Sequence, residues 1–406
     1  MALRTLEQVP LANKRVMMRV DMNVPLHNGV VSDDLRIRAN LPDIRTALEA
    51  PAALMLVSHL GRPEAGQVDS AFSLQPVADR LSELLDKAVP VVTDYLSGVA
   101  VEPGELVMCE NIRFQAGELS DDDQLATGLA ELCDVYVMNA FGCAHRAHAS
   151  THQALAHAKV ACVGTLFAQE IAEISNLLDN DAADYSPDLR RVAIVGGAKI
   201  AGKLELLSVL SEKVDTLIIG GGIANTFIAA MGYDIGQSLY EKELISFAID
   251  LQDRMTAKNK QLLLPSDVIC AKELSQHAHT VCKAIDNIEK DEMILDIGVK
   301  TQATYADAIA AADLILWNGP PGAFEYTPFA AGTGAVADAI QKTNAHIVVG
   351  GGDTSAAIKK FELQHDNMYI STGGGAFLQF VSGQALPTLT MLESKMQNNQ
   401  SDAAEN

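Results

Sequence analysis

Short runs of apolar and β-branched residues alternate with amphipathic helical stretches from one end of the chain to the other. In the first half the runs are VMMRVDMNV (16–24), ALMLVSH (53–59), PVVTD (90–94), ELVMCEN (105–111) and DVYVMNAF (134–141). In the second half they are RVAIVGG (191–197), TLIIGGG (216–222), QLLLPSDV (261–268), LILWNGP (314–320), HIVVGGG (346–352) and MYISTGG (368–374). Parallel strands need crossover connections, usually helices, so this alternation predicts an α/β fold with mainly parallel sheets.

A domain boundary is predicted near the middle of the chain. The segment TLFAQEIAEISNLLDN (165–180) has apolar residues at helical spacing, and an acidic stretch containing Pro187 follows it. A chain of 406 residues is long enough for two to three domains of roughly 150 residues each. We therefore expect a long helix and then a passage from one domain into the next.

Net charge and cysteine usage limit the classes of partner and compartment. The formal charge is 30 − 52 = −22, so the surface repels the phosphates of nucleic acids and of anionic membranes. The amino terminus has no apolar core of a signal peptide, and the longest apolar stretch, 217–231, is interrupted by glycines. Six scattered cysteines without a CxxC pair are typical of reduced core residues. We expect a soluble cytoplasmic protein that binds neither nucleic acid nor membrane.

In the first half of the chain, polar and cationic side chains follow the predicted strands. They are Asp21, Asn23, His59, Arg62, Asn111, Arg113, His145, Arg146 and His148, with Arg36 and Arg38 after the first strand. Ligands of open α/β sheets bind beyond the carboxyl ends of the strands, and arginine forks match carboxylate and phosphate geometry. The HRAH spacing lacks further ligands for zinc. The pattern therefore predicts a basic patch for a small anion.

In the second half, glycine clusters stand at the strand ends instead. They are Gly196–Gly197, Gly220–Gly222, Gly350–Gly352 and Gly373–Gly375. Glycines between a strand and a helix offer bare backbone N–H groups to phosphate. The contrast between the halves predicts one domain for a small anion and one for a nucleotide.

Two charged motifs beside the glycine clusters point to phosphate chemistry. GAKIAGKL (197–204) departs from a P-loop because Leu204 replaces the magnesium-binding hydroxyl, yet Lys199 and Lys203 are predicted to share one helical face near its start. In GGGDT (350–354), Asp353 is predicted either to bind Mg²⁺ beside the phosphates or to cap a helix. GTGAVA (332–337) follows no strand and is predicted to start a helix rather than to bind a dinucleotide.

Ten motifs in order resemble those of the phosphoglycerate kinase family over nearly the whole chain. They are RVDMNVP (19–25), DDLRIRANLP (33–42), SHLGRP (58–63), ENIRF (110–114), NAFGCAHRAHAS (139–150), VGGAKIAGKL (195–204), GGGIANTF (220–227), LWNGPPGAFE (316–325), GGGDT (350–354) and TGGGAFL (372–378). The resemblance implies two similar-sized Rossmann-like αβα domains, joined by a hinge helix, with a cleft between them. It also implies reversible in-line transfer of the 1-phosphate of 1,3-bisphosphoglycerate to MgADP on domain closure, giving 3-phosphoglycerate and ATP.

The resemblance implies a role for individual residues where the motifs match. The substrate residues would be Asp21, Met22, Asn23, Arg36, His59, Leu60, Gly61, Arg62, Arg113 and Arg146. The nucleotide residues would be Gly197, Ala198, Lys203, Gly221, Asn318, Glu325, Gly351, Gly352, Asp353 and Thr354, with Asp353 contacting Mg²⁺ and Glu325 the ribose. The catalytic residues would be Arg36, Lys199, Lys203 and Gly374.

The implied organisation assigns each ligand to its own domain. Residues 1–170 would bind phosphoglycerate, 171–187 would form the hinge helix and linker, and 188–379 would bind Mg-nucleotide, while the tail from about 380 to 406 would return to the first domain. A monomer is expected. Two alternatives stay open at this point: another acyl-phosphate or carboxylate kinase, and a two-domain binding protein that closes on an anion without chemistry.

Two positions depart from the family pattern. Cys143 stands where the family usually has threonine, and a thiol is a poorer hydrogen-bond partner than a hydroxyl. Pro321 removes one backbone donor from the LWNGPPGAFE motif. Neither change removes a charge that phosphoryl transfer needs.

Overall fold

The computed structural model describes residues 3–178 and 189–404, and the side chains of 398–404 are not part of the description. Its contacts divide the chain into two compact units. The first comprises residues up to Ala172 together with the segment from Ala385, and the second runs from Glu173 to Gln384. The fold class predicted from the sequence, α/β with two domains and parallel sheets, is confirmed.

The first unit is built on a six-stranded parallel sheet with the order β5-β6-β4-β1-β7-β8. The strands of this unit are β1 Arg15–Arg19, β2 Leu26–His27, β3 Val30–Val31, β4 Ala53–Val57, β5 Val91–Val92, β6 Leu106–Cys109, β7 Val135–Met138 and β8 Val160–Val163, of which β2 and β3 form a separate hairpin. The helices are α1 Leu35–Glu49, α2 Gln75–Leu85, α3 Asp123–Glu131, α4 Gln153–His157 and α5 Thr165–Leu178, the last of which crosses the boundary between the units.

The second unit repeats this design with a six-stranded parallel sheet in the order β11-β10-β9-β15-β16-β17 and a three-stranded antiparallel sheet in the order β13-β12-β14. Its strands are β9 Arg191–Val195, β10 Thr216–Ile219, β11 Gln261–Leu263, β12 Asp267–Ala271, β13 Val281–Ala284, β14 Met293–Ile297, β15 Leu314–Asn318, β16 His346–Val349 and β17 Met368–Ile370. Its helices, apart from the end of α5, are α6 Leu204–Lys213, α7 Gly221–Ala230, α8 Ile245–Ala257, α9 Val299–Ala310, α10 Ala331–Lys342, α11 Gly352–Lys360 and α12 Gly375–Val381.

The central strands of both sheets are buried along their length. In β1, Val16, Met17 and Met18 have no exposed surface, and in β15 the indole of Trp317 is equally enclosed. Such continuous burial is expected where a parallel sheet is covered on both faces. Trp317 is therefore a core residue, and the polar groups of each sheet are left to the strand ends.

The last helix, α13 Pro387–Ala404, belongs to the first unit. The Thr388 hydroxyl donates to the carbonyl of Thr151 at 2.7 Å, and the Lys395 ammonium donates to the carbonyl of Ala156 at 2.7 Å. Two backbone carbonyls near α4 are thereby paired with the C-terminal segment.

Several local predictions need correction. The run 261–268 is not one strand, because it divides between β11 and β12 and so between two sheets. The helix expected to contain Lys199 and Lys203 begins only at Leu204. All six cysteines are free, but Cys282 is exposed rather than in the core. Of the predicted hinge helix and linker at 171–187, the part from 179 onward, with Pro187, lies outside the described residues.

None of the helices in the described part of the chain combines the length and the apolarity that a membrane span requires.

The start of α5 is held by one buried carboxylate. Asp43 of α1, 1% exposed, accepts hydrogen bonds from the backbone N–H of Thr165 at 3.1 Å and from the Asn139 amide at 2.7 Å. The Thr165 hydroxyl donates to the same carboxylate. A single side chain thus connects α1, the end of β7 and the first turn of α5, whose amides have no intrahelical partner.

Replacing Asp43 with alanine should destabilise the first unit by about 3 kcal/mol, because it leaves buried donors on Asn139 and Thr165 without an acceptor. Urea unfolding followed by circular dichroism would measure the loss. Glu49→Ala, an exposed carboxylate of the same helix, is the control and should change the free energy of unfolding by about 0.5 kcal/mol or less. Equal midpoints for the two variants would contradict the anchoring role.

Candidate active site

The predicted basic patch lies at the carboxyl edge of the first sheet. Asp21 follows β1, His59 follows β4, Arg113 follows β6 and Cys143 follows β7, so four neighbouring strands deliver their polar residues to one edge. The central strand β1 has β4 on one side and β7 on the other, so the strands that follow β1 in the chain are added first on one side of it and later on the other. This switch point is where open parallel sheets form their ligand crevice.

Backbone geometry brings the strand ends together. The Asn23 side-chain oxygen accepts from the backbone N–H of Gly61 at 2.9 Å, and the backbone N–H of Met22 donates to the Ser58 hydroxyl at 3.0 Å. Gly61 has φ +60°, and a Cβ there would lie 2.3 Å from the ring of Phe72, so this turn requires glycine. The SHLGRP turn is thus fixed against the RVDMNVP turn.

A buried arginine that sequence analysis did not assign to the site lies beneath it. Arg19, 1% exposed, donates from Nε to the Ser150 hydroxyl at 2.8 Å, and Ser150 in turn donates to the buried Glu118 carboxylate at 2.7 Å. Arg19 Nη2 lies 3.4 Å from His59 Nδ1. A guanidinium can only donate, so Nδ1 of His59 accepts, and the proton of the neutral ring is on Nε2.

The histidines of this cluster are held in the neutral form. Burial, and then the charges of Arg19 and Arg113, lower the pKa of His59 well below its usual value. Burial and then Arg113 lower the pKa of His148 to about 4. Neighbouring guanidinium charges therefore create a positive local field although the chain as a whole carries −22.

The field bears on whether this cluster could hold a metal. Among the described residues, Asp21, His59 and Cys143 each bring one possible ligand atom within 4.8 Å of the others. Arg36 Nη1 lies 3.2 Å from the Asp21 carboxylate, and Arg19 lies beside the other two groups, at 3.8 Å from Cys143 Sγ. The positive charges of Arg36 and Arg19 at these distances would repel a metal cation, so the cluster is suited to an anion.

The remaining predicted residues of the first unit differ in exposure. Arg113 is buried, and its Nη1 donates to the carbonyl of Gly61, while Leu60 is buried with its N–H on Asn111 Oδ1 at 3.3 Å. Arg62 and Arg146 are exposed. At this edge of the sheet, Arg113 is therefore held in place by burial and a backbone contact, whereas Arg62 and Arg146 are accessible to solvent.

In the second unit, three strand ends form a glycine-rich floor. Gly197 has φ +119°, Gly221 has φ +65°, and a Cβ on Gly221 would lie 2.7 Å from the carbonyl oxygen of Gly197. The N–H of Gly196 is bonded to the carbonyl of Asn318, and the N–H of Gly221 to that of Pro321. The expectation that these clusters present only bare amides is therefore wrong in part, since several of the glycines serve close backbone packing.

Next to this floor is a cavity of about 330 Å³. Its lining includes the predicted residues Gly197, Ala198, Gly221, Glu325 and Asp353. Apolar side chains, among them Leu274, Met293 and Ile294, form another part of the wall. A cavity with an apolar wall and a few polar groups at a glycine-rich helix start suits a nucleotide.

The other predicted residues of this unit are not in the lining of the cavity. Lys203 donates from Nζ to the carbonyls of Gly196 at 2.6 Å and Asn318 at 2.9 Å. The Thr354 hydroxyl accepts from the N–H of Gly319 at 2.7 Å. Lys199 is exposed in the loop before α6, and Gly351 and Gly352 stand at the start of α11. Gly374 precedes α12 with φ +51° and is not in the cavity lining.

Asp353 lies in the first turn of α11, where Gly351 is the N-cap residue. The capping alternative for Asp353 is therefore wrong, although a carboxylate in the first turn does favour the helix dipole. The side chain is exposed on the cavity wall. Magnesium ions in phosphoryl-transfer enzymes are held by one or two carboxylates and the substrate phosphates, so this single carboxylate fits such an ion.

The family model described as phosphoglycerate kinase matches residues 6–384. The chain belongs to the phosphoglycerate kinase family. It is 49% identical to the phosphoglycerate kinase of Coxiella burnetii over 385 residues, covering 95% of this chain and 97% of that one. It is 48% identical to the enzyme of Nitratidesulfovibrio vulgaris over 395 residues, covering 97% and 99% of the two chains.

Solved structures of the phosphoglycerate kinase family have the same fold. The Coxiella burnetii structure superposes with a TM-score of 0.91 at 48% identity, covering 97% of this chain and all of that one. The Pyrococcus horikoshii OT3 structure gives a TM-score of 0.80 at 29% identity, covering 96% and 98%. The chain is therefore a glycolytic phosphotransferase that moves a phosphoryl group reversibly between 1,3-bisphosphoglycerate and ADP. The alternatives of a different acyl-phosphate kinase and of a non-catalytic binding protein are set aside.

If Lys203 contacts the nucleotide, as the family resemblance implies, ADP binding should depend on pH. Burial lowers the pKa of Lys203 to about 8, with Asp353 acting in the opposite direction. A nearby phosphate would raise that pKa again, so the protonated form binds the nucleotide better. ADP affinity should be constant below pH 8 and should fall as pH rises above 8, by up to tenfold per pH unit until the pKa of the complex is reached.

Calorimetric titration with ADP between pH 7 and 9 would measure this effect, since the terminal phosphate of ADP, with a pKa of about 6, is already about nine-tenths ionised at pH 7 and changes little above it. Lys203→Arg is the control, because a guanidinium keeps its charge and should give a flat profile. A dissociation constant of the unaltered protein that does not change over the interval would contradict the prediction.

Cys143 is expected to take no covalent part in the reaction. Burial raises the pKa of its thiol to about 11, so the nucleophilic thiolate is scarce at neutral pH. Cys143→Thr should therefore retain a turnover number within about threefold of the original in a coupled assay of 3-phosphoglycerate-dependent ATP consumption. A folded but inactive Cys143→Thr protein would show that the thiol has a chemical role.

Proposed function

We propose that the first unit binds 3-phosphoglycerate or 1,3-bisphosphoglycerate and that the second binds the Mg-nucleotide. The observation that carries this proposal is the segregation of the two kinds of site. Guanidinium groups and neutral histidines gather at the carboxyl edge of the first sheet, whereas the glycine-lined cavity belongs to the second. Both substrates are anions. Each unit offers them local hydrogen-bond donors, although the chain as a whole is negatively charged.

On the phosphoglycerate side, the fixed and exposed cations have different tasks in this proposal. Neutral His59, with its proton on Nε2, donates to the substrate, and Arg113 supplies charge from a buried position. Arg62 and Arg146 are free to adapt to a phosphate because they are exposed. The supporting contacts come from Asp21, Met22, Asn23, Arg36, Leu60 and Gly61.

On the nucleotide side, the cavity lining suggests the orientation of the ligand. The base occupies the apolar wall, Glu325 accepts hydrogen bonds from the ribose hydroxyls, and the phosphates lie towards Gly197, Ala198 and the start of α11. Lys203 is available to the phosphates if it exchanges a backbone carbonyl for a phosphate oxygen. The remaining assigned residues, Gly221, Asn318, Gly351, Gly352 and Thr354, maintain the backbone around them.

Asp353 is the residue proposed to hold Mg²⁺ with the nucleotide phosphates. When bound, the ion would supply positive charge to the phosphate oxygens and so reduce their mutual repulsion. The chain's own part is to place one carboxylate on the cavity wall in the first turn of α11. Lys203 contributes a second charge close by, since the two side chains interact electrostatically.

The reaction needs cations rather than a general base. The attacking and leaving oxygens, a carboxylate and a terminal phosphate, are already ionised near neutral pH. The barrier lies in bringing two anions together and in the charge on the migrating group, which lysine, arginine and backbone N–H groups stabilise. We assign this task to Arg36, Lys199 and Lys203, with the backbone N–H of Gly374 as a further donor. We also infer that the transfer is in line and that it follows closure about the helix and linker at 171–187. Closure excludes water from the reacting groups.

We extend the proposal to the compartment and the oligomeric state of the protein. The acidic surface and the free cysteines fit a cytoplasmic monomer that binds neither nucleic acid nor membrane.

The assignment of Arg36 and Lys199 predicts a specific kinetic defect. Because both cations act on charge that develops during transfer, Arg36→Ala and Lys199→Ala should each lower kcat by roughly 10²–10³-fold. KM for ATP should change far less. The coupled assay with 3-phosphoglycerate and ATP gives both constants.

Lys290→Ala, which removes an exposed lysine away from the cavity lining, is the matched control and should leave both constants unchanged. If Lys199→Ala kept a normal kcat and raised only KM, the lysine would be a ground-state binding residue and the assignment would fail.

A further inference from the structure

The loop between β12 and β13, residues 272–280, borders the cavity of the second unit. Leu274 of this loop lines the cavity and leaves 44% of its surface exposed. Two residues further on, the side chain of Gln276 reaches the segment that carries Glu325. The loop therefore contacts both the cavity and the backbone of a residue proposed to bind ribose.

Gln276 makes a two-point contact with that backbone. Its amide nitrogen Nε2 donates to the carbonyl of Glu325 at 3.1 Å, and its oxygen Oε1 accepts from the N–H of Thr327 at 3.0 Å. A primary amide that uses its donor and its acceptor on one segment restrains that segment's orientation as well as its distance. Such a contact fixes the peptide units on both sides of Tyr326.

Other contacts hold the same segment from different directions. The N–H of Tyr326 donates to the carbonyl of Ala323 at 3.0 Å, which closes a turn. The Lys360 ammonium donates to the carbonyl of Phe324. With Lys360 fixing the residue before Glu325, Gln276 fixes Glu325 itself and the residue two positions beyond it.

We propose that Gln276 is a positioning residue that aims the Glu325 carboxylate at the ribose hydroxyls of the nucleotide. This inference rests on the proposed function, in which Glu325 contacts the ribose. The Glu325 side chain is exposed and has three rotatable bonds, so the placement of its carboxylate depends on a fixed backbone. Without the amide contact, ribose binding has to order that backbone as well, and this cost reduces affinity.

The test compares ATP with 2′,3′-dideoxy-ATP, which lacks both ribose hydroxyls. Gln276→Ala should raise KM for ATP about three- to tenfold, as expected for the loss of one or two hydrogen bonds, with kcat nearly unchanged. KM for 2′,3′-dideoxy-ATP should be the same for the variant and the unaltered protein. If Gln276→Ala raised KM equally for both nucleotides, the substitution would have disturbed the cavity as a whole. If it left KM for ATP unchanged, Gln276 would have no role in binding. Either result overturns the inference.

The same unit contains a matched control. Gln341 of α10 makes the equivalent two-point contact elsewhere, donating to the carbonyl of Gln364 and accepting from its N–H at 3.1 Å. Neither Gln341 nor Gln364 is in the cavity lining. Gln341→Ala therefore removes the same type of contact and should leave KM unchanged for both nucleotides. Because both glutamines are exposed, folding of the two variants should be intact, and thermal unfolding would verify it.

Glu325→Gln separates failure of the inference from failure of the proposed function. If Glu325 binds ribose, this variant should raise KM for ATP selectively, and adding Gln276→Ala to it should have little further effect because both changes act on one interaction. If Glu325→Gln leaves the ratio of the two KM values unchanged, the ribose assignment itself is wrong. If only Gln276→Ala is without effect, the assignment stands and the positioning role is refuted. Full additivity in the double variant would also refute it.

Discussion

A strand that is buried on both faces can carry charged groups only where it ends. In β1 the residues Val16 to Met18 are completely enclosed, and Asp21 follows within three residues of the last strand position. In the second unit, β9 is buried throughout and leads directly into Gly196. Because all strands in each six-stranded sheet run in parallel, these ends meet at one edge, and the chemistry of each unit is confined there.

Because charged groups are confined to the carboxyl edge of the first sheet, the site there depends on a buried charge network. Arg19 is removed from water and is stabilised through Ser150 by the equally buried Glu118. Burying charges is costly unless hydrogen bonds pair them, so this arrangement would be difficult to justify by stability alone. Its consequence for chemistry is a fixed cation behind His59, which determines the protonated nitrogen of the ring and keeps the histidine neutral. The acidic chain thereby obtains a strong local attraction for an anion.

The sequence predicted the strands of both parallel sheets with one exception, β8, because their apolar runs were long enough to recognise. It failed for β13, whose four residues are mostly exposed, and it extended β11 across Pro265 into another sheet. Arg19 escaped notice because it is the last residue of a strand and looks like an ordinary surface position in the pattern. The contribution of Leu274 to the cavity wall could not be foreseen either, since it depends on how an antiparallel sheet packs beside the parallel one. Motif order was informative where local periodicity was not.

Pro321 illustrates why a departure from a family pattern has to be judged from the contacts of the residue. From the sequence, proline at this position removes one backbone donor from the motif. The structure instead uses the carbonyl of Pro321, which accepts from the N–H of Gly221 at 2.7 Å, at the first residue of α7. Its ring lies against Gly220, where a Cβ would approach it to 2.5 Å. Position 321 therefore contributes an acceptor and a packing surface, both of which proline provides, while the glycine at 220 is what allows the two turns to come that close.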